Sequence, residues 1–217
     1  MREQNRRLFA GPFAAVYDFY MSRERVGRLV AWAVWGSDIR PYYASMDAIA
    51  ELPDGATVID SPCGSGVALR AVPPGQRLRY LGFDLSPEML ERARRRASRL
   101  GLHQVVLTEA DAEALPVDDG QAELFLCYFG LHCFADPAAA VREAARCLRA
   151  GGRLVGSTIV RGERLLDRVR VRPEAGVFGP VGEEADLRRW LTESGLERVE
   201  IEREDVFAIF RARKPAT

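Results

Sequence analysis

From residue 57 onward, short apolar runs alternate with segments in which apolar residues recur at helical spacing. The runs are rich in β-branched and aromatic residues, which favour strands. Strands are predicted at 57–60, 79–84, 105–109, 124–128, 153–159, 197–202 and 206–212. The helix after the fourth run is predicted to end at Gly151 and Gly152. This alternation indicates an α/β domain on a mainly parallel sheet, closed by a hairpin.

The helix predicted after the second strand has one apolar face and one basic face. Ser86 is placed to cap it, and its apolar positions, which we expect to face the sheet, are Leu90, Ala93, Ala97 and Leu100. Its arginines fall on the opposite side: Arg92, Arg94, Arg95, Arg96 and Arg99. We interpret them as a solvated face and not as a nucleic-acid or phospholipid patch.

Residues 1–52 precede the first strand and show helical spacing in three short stretches. They contain Trp32, Trp35 and four of the six tyrosines. We expect most of these aromatic residues to pack on the core. Residues 161–182 have a weak pattern with Gly, Pro and Arg, which predicts a mobile insertion over the cleft.

The first candidate functional site is the end of the first strand. This strand ends at Asp60, and a loop containing Gly64 and Gly66 follows it. Glycine lets backbone amides approach a ligand closely. A carboxylate at the strand end would repel a pyrophosphate and attract a cationic group. S-adenosylmethionine carries such groups, an ammonium and a sulfonium. Asp84 ends the second strand about 20 residues later, the usual spacing for an acceptor of ribose hydroxyls.

These stretches, with Ser86 to Leu90, Asp111 to Pro116 and Asp136 through Leu154, resemble the class I S-adenosylmethionine-dependent methyltransferases. The branch most similar contains the ubiquinone and menaquinone C-methyltransferases and many small-molecule methyltransferases. The resemblance implies a single Rossmann-like, doubly wound sheet of seven strands with an antiparallel last strand. It also implies an amino-terminal helical cap, residues 1–52, over the active site of a core at 53–217. One departure is Ser61-Pro62, where relatives usually have Leu-Gly.

The resemblance also implies roles for individual residues. Asp60 and the loop would hold the methionine part of the cofactor, Asp84 its ribose, and Asp111 its adenine amine. The full set of expected cofactor residues is Tyr17, Asp60, Cys63, Gly64, Gly66, Asp84, Leu85, Met89, Asp111, Ala112, Cys127 and Tyr128. Tyr17 is included because Tyr17-Asp18 matches a Tyr-Asp pair that family members carry before the core.

Composition limits the partners. Lys+Arg and Asp+Glu are each 31, so no net basic field attracts nucleic acid or an anionic membrane. The four cysteines form no CxxC pair and the two histidines are far apart, so no metal site is expected. The thiols suggest a reduced, cytoplasmic protein, and neither an export signal nor a membrane span is expected. We expect a monomer or homodimer.

The expected activity is methyl transfer to a small, apolar or aromatic metabolite, with oxygen or carbon favoured over nitrogen as the methylated atom. His132 follows the fourth strand and is the candidate general base. Two alternatives stay open. One is a methyltransferase-like binding or regulatory protein without turnover. The other, weaker one is an NAD-dependent oxidoreductase, because the loop lacks the third small residue of the dinucleotide fingerprint.

Overall fold

The computed structural model describes residues 12–161 and 182–216, apart from the side chains of residues 12–14, 17 and 35. The α-helices within them are α1 (Pro12–Met21), α2 (Glu24–Trp35), α3 (Arg40–Ser45), α4 (Pro87–Arg99), α5 (Pro137–Cys147) and α6 (Glu184–Glu193). The strands are β1 (Thr57–Asp60), β2 (Arg79–Asp84), β3 (Val105–Glu109), β4 (Ala122–Tyr128), β5 (Leu148–Ile159), β6 (Glu197–Glu204) and β7 (Phe207–Arg213). The mobile insertion expected at residues 161–182 lies outside the described residues, apart from its two end residues.

All seven strands form one sheet in the order β3-β2-β1-β4-β5-β7-β6. The strands β1 to β5 pair in parallel, whereas β7 runs antiparallel to β5 and β6. The predicted doubly wound sheet with an antiparallel last strand is therefore confirmed. The chain order reverses between β1 and β4, and open α/β sheets bind ligands in the crevice at such a reversal.

The central strands are buried on both faces of the sheet. Every residue of β1 is buried, and β4 is buried except at Glu123. Val58 belongs to the apolar cluster shared with the amino-terminal helices, while its neighbour Ile59 belongs to the cluster on the opposite face. This double burial explains why these strands appear as continuous apolar runs and not as alternating ones.

The described part of the amino-terminal segment, from residue 12, is helical, as predicted, and its last part packs on the core. Tyr42 and Tyr43 of α3 are buried, together with Met46 and Ile49 of the 3₁₀ helix Met46–Ile49, and α3 packs against β5 and β7. The outer surface of α1 and α2 is different. Trp32 is 70% exposed, contrary to the packing expected for most aromatic residues here, and Val16, Phe19, Leu29 and Val34 are also exposed.

Two sequence predictions fail at the ends of helices. Leu100 was placed against the sheet but is 47% exposed, because α4 ends at Arg99 and Leu102 turns inward instead. The helix predicted to end at Gly151 and Gly152 already ends at Cys147, and β5 begins at Leu148. The β4–β5 pairing changes register between Ala122 and Leu124, which accommodates the additional strand residues.

Candidate active site

A cleft opens at the carboxyl ends of β1, β2 and β4, where the strand order reverses. It contains about 890 Å³ of space, counting the part open to solvent. Eight predicted cofactor residues line it: Asp60, Cys63, Gly64, Asp84, Leu85, Met89, Ala112 and Tyr128. Residues outside the predicted cofactor set also line it, among them Tyr42, Ser61, Pro62, Ser65, Ser86, Phe129, Cys133 and Phe134.

Asp60 is a buried carboxyl group at the end of β1, with 2% exposure. The Tyr80 hydroxyl, on the neighbouring strand, donates a hydrogen bond of 2.6 Å to its Oδ2. Burial raises the pKa of Asp60 to about 7; the Tyr80 hydrogen bond opposes this rise and the nearby Asp84 charge adds to it. A cationic ligand group beside Asp60 would favour the charged carboxylate.

Asp84 holds the two loops that border the cleft. Its Oδ2 accepts a hydrogen bond of 2.9 Å from the Gly64 amide, and its Oδ1 accepts one of 2.8 Å from the Ser86 amide. Burial raises the pKa of Asp84 to about 6, and the backbone donors limit that rise. The side chain of Ser86 in turn caps α4 by accepting from the Met89 amide. One carboxylate thus fixes the positions of both the glycine loop and the start of α4.

The glycine loop needs its two glycines for different reasons. Gly64 has φ +50°, and a Cβ there would meet no atom within 4 Å, so its backbone is open on that side. Gly66 has φ +73°, and a Cβ there would lie 3.2 Å from the Ala93 Cβ on α4. Gly66 does not line the cleft; it permits α4 to approach the loop. The Ser61-Pro62 peptide bond is cis.

After the third strand, the residues that line the cleft are the two neighbours of the predicted one. Asp111 does not line the cleft, because its Oδ1 accepts from the Glu113 amide at 3.1 Å within a local turn. Its neighbours Ala110 and Ala112 line the cleft instead. Two of the three expected carboxylates, Asp60 and Asp84, therefore share one cleft.

Comparison with known proteins agrees with this arrangement. A family model described as a methyltransferase domain matches residues 59–156. The demethylmenaquinone methyltransferase of Thermus thermophilus is 38% identical over 125 residues, covering 56% of this chain and 54% of that protein. The arsenite methyltransferase of Halobacterium salinarum is 27% identical over 180 residues, covering 81% of this chain and 46% of that protein. These matches support a class I S-adenosylmethionine-dependent methyltransferase.

The likeness in structure extends beyond the matched segment. The solved structure of phosphoethanolamine N-methyltransferase 2 from Haemonchus contortus, in complex with S-adenosyl-L-methionine, gives a TM-score of 0.76 at 13% identity and covers 99% of this chain and 60% of that one. At this identity the likeness shows the fold. The chain spans between 32% and 54% of the length of the first curated relatives that it matches. Among residues 12–161 and 182–216, no helix combines the length and apolarity needed to cross a bilayer.

His132, the candidate base, is buried and is not among the residues that line the cleft. It is 6% exposed, and its Nδ1 accepts a hydrogen bond of 3.2 Å from the Ile159 amide. Burial lowers the pKa of His132 to about 3. A neutral imidazole whose Nδ1 is bonded to backbone fits a structural role better than proton abstraction.

The cysteines near the cleft have protonated thiols. Burial raises the pKa of Cys63 well above its ordinary value and that of Cys133 to about 12. Cys127 points away from the cleft, into the apolar cluster on the opposite face from Tyr128. The sequence could have predicted this orientation, because adjacent residues within a strand point to opposite faces of the sheet.

One wall of the cleft is aromatic. The ring centroid of Tyr42, from α3, lies 5.3 Å from that of Tyr128 and 4.9 Å from that of Phe129. The Ser45 hydroxyl lies 3.0 Å from the Tyr128 hydroxyl and donates to it, which fixes the wall to α3. Phe129 has φ +51°, which is rare for a bulky residue and typical of functional sites.

Arg96 corrects the interpretation of the basic face of α4. Its side chain is only 11% exposed, and its Nη2 lies 2.8 Å from Oδ1 of Asp18 on α1. The same guanidinium donates to the hydroxyls of Ser22, which directly follows α1, and of Ser65 in the glycine loop. The prediction of a wholly solvated face is wrong at this position, where one arginine joins α1, α4 and the glycine loop. The side chain of Tyr17, the neighbour of Asp18, lies outside the described residues.

Proposed function

We propose that the chain transfers a methyl group from S-adenosylmethionine to a small apolar or aromatic acceptor, with oxygen or carbon favoured over nitrogen as the methylated atom. The observation that carries the proposal is the pair of buried carboxyl groups, Asp60 and Asp84, at neighbouring strand ends beside the open backbone of Gly64. This arrangement suits a ligand with a cationic end and a vicinal diol. It suits a dinucleotide poorly, since Asp60 would face a pyrophosphate.

The residues present fit the cofactor at each of its parts. The carboxylate of Asp60 would bind the cationic methionine part, together with the backbone of Cys63 and Gly64. Asp84 accepts two backbone hydrogen bonds, and its carboxylate has further lone pairs for ribose hydroxyls. The purine would lie among apolar side chains supplied by Leu85, Met89 and Ala112.

When bound, the cofactor would supply a methyl group activated by its positive sulfur. The contribution of the chain is then orientation and exclusion of water. The aromatic wall of Tyr42, Tyr128 and Phe129 would present an apolar surface to a flat acceptor. This apolar wall is the reason for favouring oxygen or carbon over an amine nitrogen. We assign no proton transfer to His132, because it is buried and is not among the residues that line the cleft.

We further propose that residues 1–52 act as a cap over a core formed by residues 53–217. Tyr42 of α3 lines the cleft, and Asp18 of α1 is bonded to the arginine that also reaches the glycine loop. A role for Tyr17 beside the cofactor stays a prediction. Cap and loop would adopt their positions together, so cofactor binding and cap docking should be linked.

Calorimetry with S-adenosylmethionine, S-adenosylhomocysteine and NAD tests the ligand assignment. We expect saturable binding of the first two and none of NAD; the reverse preference would contradict the proposal. Turnover is a separate question, measured as S-adenosylhomocysteine released in the presence of a panel of phenols, quinols and activated carbon acids. Tight cofactor binding without turnover on any acceptor would favour the regulatory alternative.

A further inference from the structure

A second cavity lies beside the cleft described above, between α3 and the carboxyl-terminal hairpin. It contains about 670 Å³ of space, counting its open side. Tyr42 and Phe129 line both cavities, so these two rings, with centroids 4.9 Å apart, form an aromatic partition between them. A molecule in the second cavity would therefore adjoin the proposed methyl donor across the aromatic partition.

The floor of the second cavity is apolar. Phe207 and Ile209 alternate along β7, so both project from the face of the sheet that carries the amino-terminal helices, and Ile39 faces them from the segment before α3. The ring of Phe207 lies edge-on to that of Phe129, with centroids 5.7 Å apart. Such a floor suits a flat aromatic ring, which makes offset or edge contacts with phenyl groups.

The rim of the second cavity carries three carboxylates, those of Asp38, Glu202 and Glu204, and one guanidinium, that of Arg203. In the β6–β7 ladder Glu202 stands opposite Ile209 and Glu204 opposite Phe207, so both carboxylates rise from the same face as the floor. Oε1 of Glu202 is paired with Nη1 of Arg211 at 2.7 Å. Among the described residues Glu204 has neither an ion pair nor a side-chain hydrogen bond.

The other charges at this rim already have partners. Asp38 is bonded to Arg40 on its own segment. Arg203 donates to the backbone carbonyls of Asp205 and Arg161. Among the carboxylates of this rim, that of Glu204 is therefore the one without an ion pair to any described residue, and a cationic ligand group can still neutralise it.

We propose that the second cavity is the acceptor site and that it binds an aromatic molecule with a basic group at the end opposite its nucleophile. The ring lies on Phe207 and Ile209, and the ammonium meets Glu204. The nucleophile enters the donor cleft at the edge of the aromatic partition, because methyl transfer requires contact between the nucleophile and the methyl carbon. The carboxylates of the rim disfavour anionic acceptors by like-charge repulsion. The inference rests on the proposed function for its donor, whereas the charge preference belongs to the second cavity alone.

Three phenols of similar shape and different charge test the inference: tyramine, 4-ethylphenol and 3-(4-hydroxyphenyl)propionate. Binding is measured by calorimetry in low salt, with and without saturating S-adenosylhomocysteine. We expect tyramine to bind about fivefold more tightly than 4-ethylphenol, as for an ion pair at an exposed rim, and the propionate to bind most weakly. Glu204→Gln should abolish the advantage of tyramine, and Glu204→Lys should reverse the order of tyramine and the propionate.

Glu200→Gln is the matched control, because Glu200 is an exposed carboxylate on the same strand that does not line this cavity. It should leave the order of affinities unchanged. Equal affinity of the three phenols, no saturable binding of any of them, or a preference that survives Glu204→Gln would overturn the inference. Binding of S-adenosylhomocysteine to the same samples separates the two proposals: if it binds and the phenols do not, only the acceptor site is refuted.

Discussion

Replacing Arg96 with methionine tests whether a single buried charge holds α1 to the glycine loop. The side chain of Arg96 is 11% exposed and that of its partner Asp18 is 20% exposed. Methionine retains most of the aliphatic stem and removes the guanidinium that reaches Asp18, Ser22 and Ser65. The substitution therefore removes hydrogen bonds with little change in packing volume.

The expected loss in the free energy of unfolding follows from the burial of this pair. Hydrogen bonds to charged groups contribute roughly 1.5–3 kcal/mol, whereas exposed ion pairs contribute roughly 0.2–1 kcal/mol. Since Arg96 and Asp18 are mostly but not fully buried, we expect a loss of about 2 kcal/mol in urea denaturation at pH 7. Arg95→Met is the control, because the Arg95 side chain is 60% exposed and pairs only along its own helix with Glu91. Its expected loss is below about 0.5 kcal/mol.

A double-mutant cycle with Asp18→Asn isolates the pair, and we expect a coupling free energy of about 1 kcal/mol or more. Burial alone would raise the pKa of Asp18. Hydrogen bonds from Ser65 and Ser22 and the charge of Arg96 outweigh this effect, so the pKa lies below its ordinary 3.8. A depressed pKa stabilises the fold above the unfolded-state pKa, and this contribution is lost as pH falls through the folded-state pKa. The penalty of Arg96→Met should therefore shrink in acid. Equal losses for both arginine variants, or strict additivity in the cycle, would refute the reasoning.

Four further substitutions test the site and the fold. Asp84→Asn should weaken S-adenosylhomocysteine binding by about 1–3 kcal/mol in calorimetry, while Asp111→Asn, outside the cleft, should not; equal effects would contradict the site. S-adenosylmethionine affinity should rise between about pH 5.5 and 7.5 as Asp60, with its pKa raised to about 7, loses its proton, and Asp60→Asn should flatten this profile. The same raised pKa makes the free energy of unfolding fall with rising pH between about 4 and 7, which Asp60→Asn should also reduce. His132→Asn should lower the free energy of unfolding by about 1 kcal/mol and leave turnover intact; lost turnover at unchanged stability would restore the base role. Gly66→Ala should cost more than about 1 kcal/mol of folding free energy, and more than Gly75→Ala, where φ is also positive but no atom lies within 4 Å.

The sheet and the donor side of the cleft were predictable because their signals are local in sequence. An apolar run that ends on an acid locates a strand end, and Asp60 and Asp84 were found in this way. The capping serine at Ser86 and the helix after it follow from chemistry within a few residues. Parallel strands then bring separate ends to one edge without any knowledge of side-chain contacts.

The wrong predictions concern residues whose surroundings depend on segments far away in the sequence. Helical spacing placed Arg96 on the polar side of α4, but its partner Asp18 is 78 positions away in sequence. The spacing cannot show that α1 docks there. His132 was chosen because of its place after β4, and its burial depends on the packing around Phe129, whose ring centroid lies 6.2 Å from that of His132. The exposure of Trp32 likewise depends on which side of α2 faces the core.

The two proposed binding sites stand on different halves of the sheet. Asp60 and Asp84 stand on β1 and β2, whereas Phe207, Ile209 and Glu204 stand on the terminal hairpin, on the other side of β4. Under the two proposals made above, substitutions in the hairpin would change which molecule is methylated without altering the residues that bind the methyl donor. Such separation makes the fold easy to diversify during evolution, since new chemistries can be tried at one end while the other stays constant.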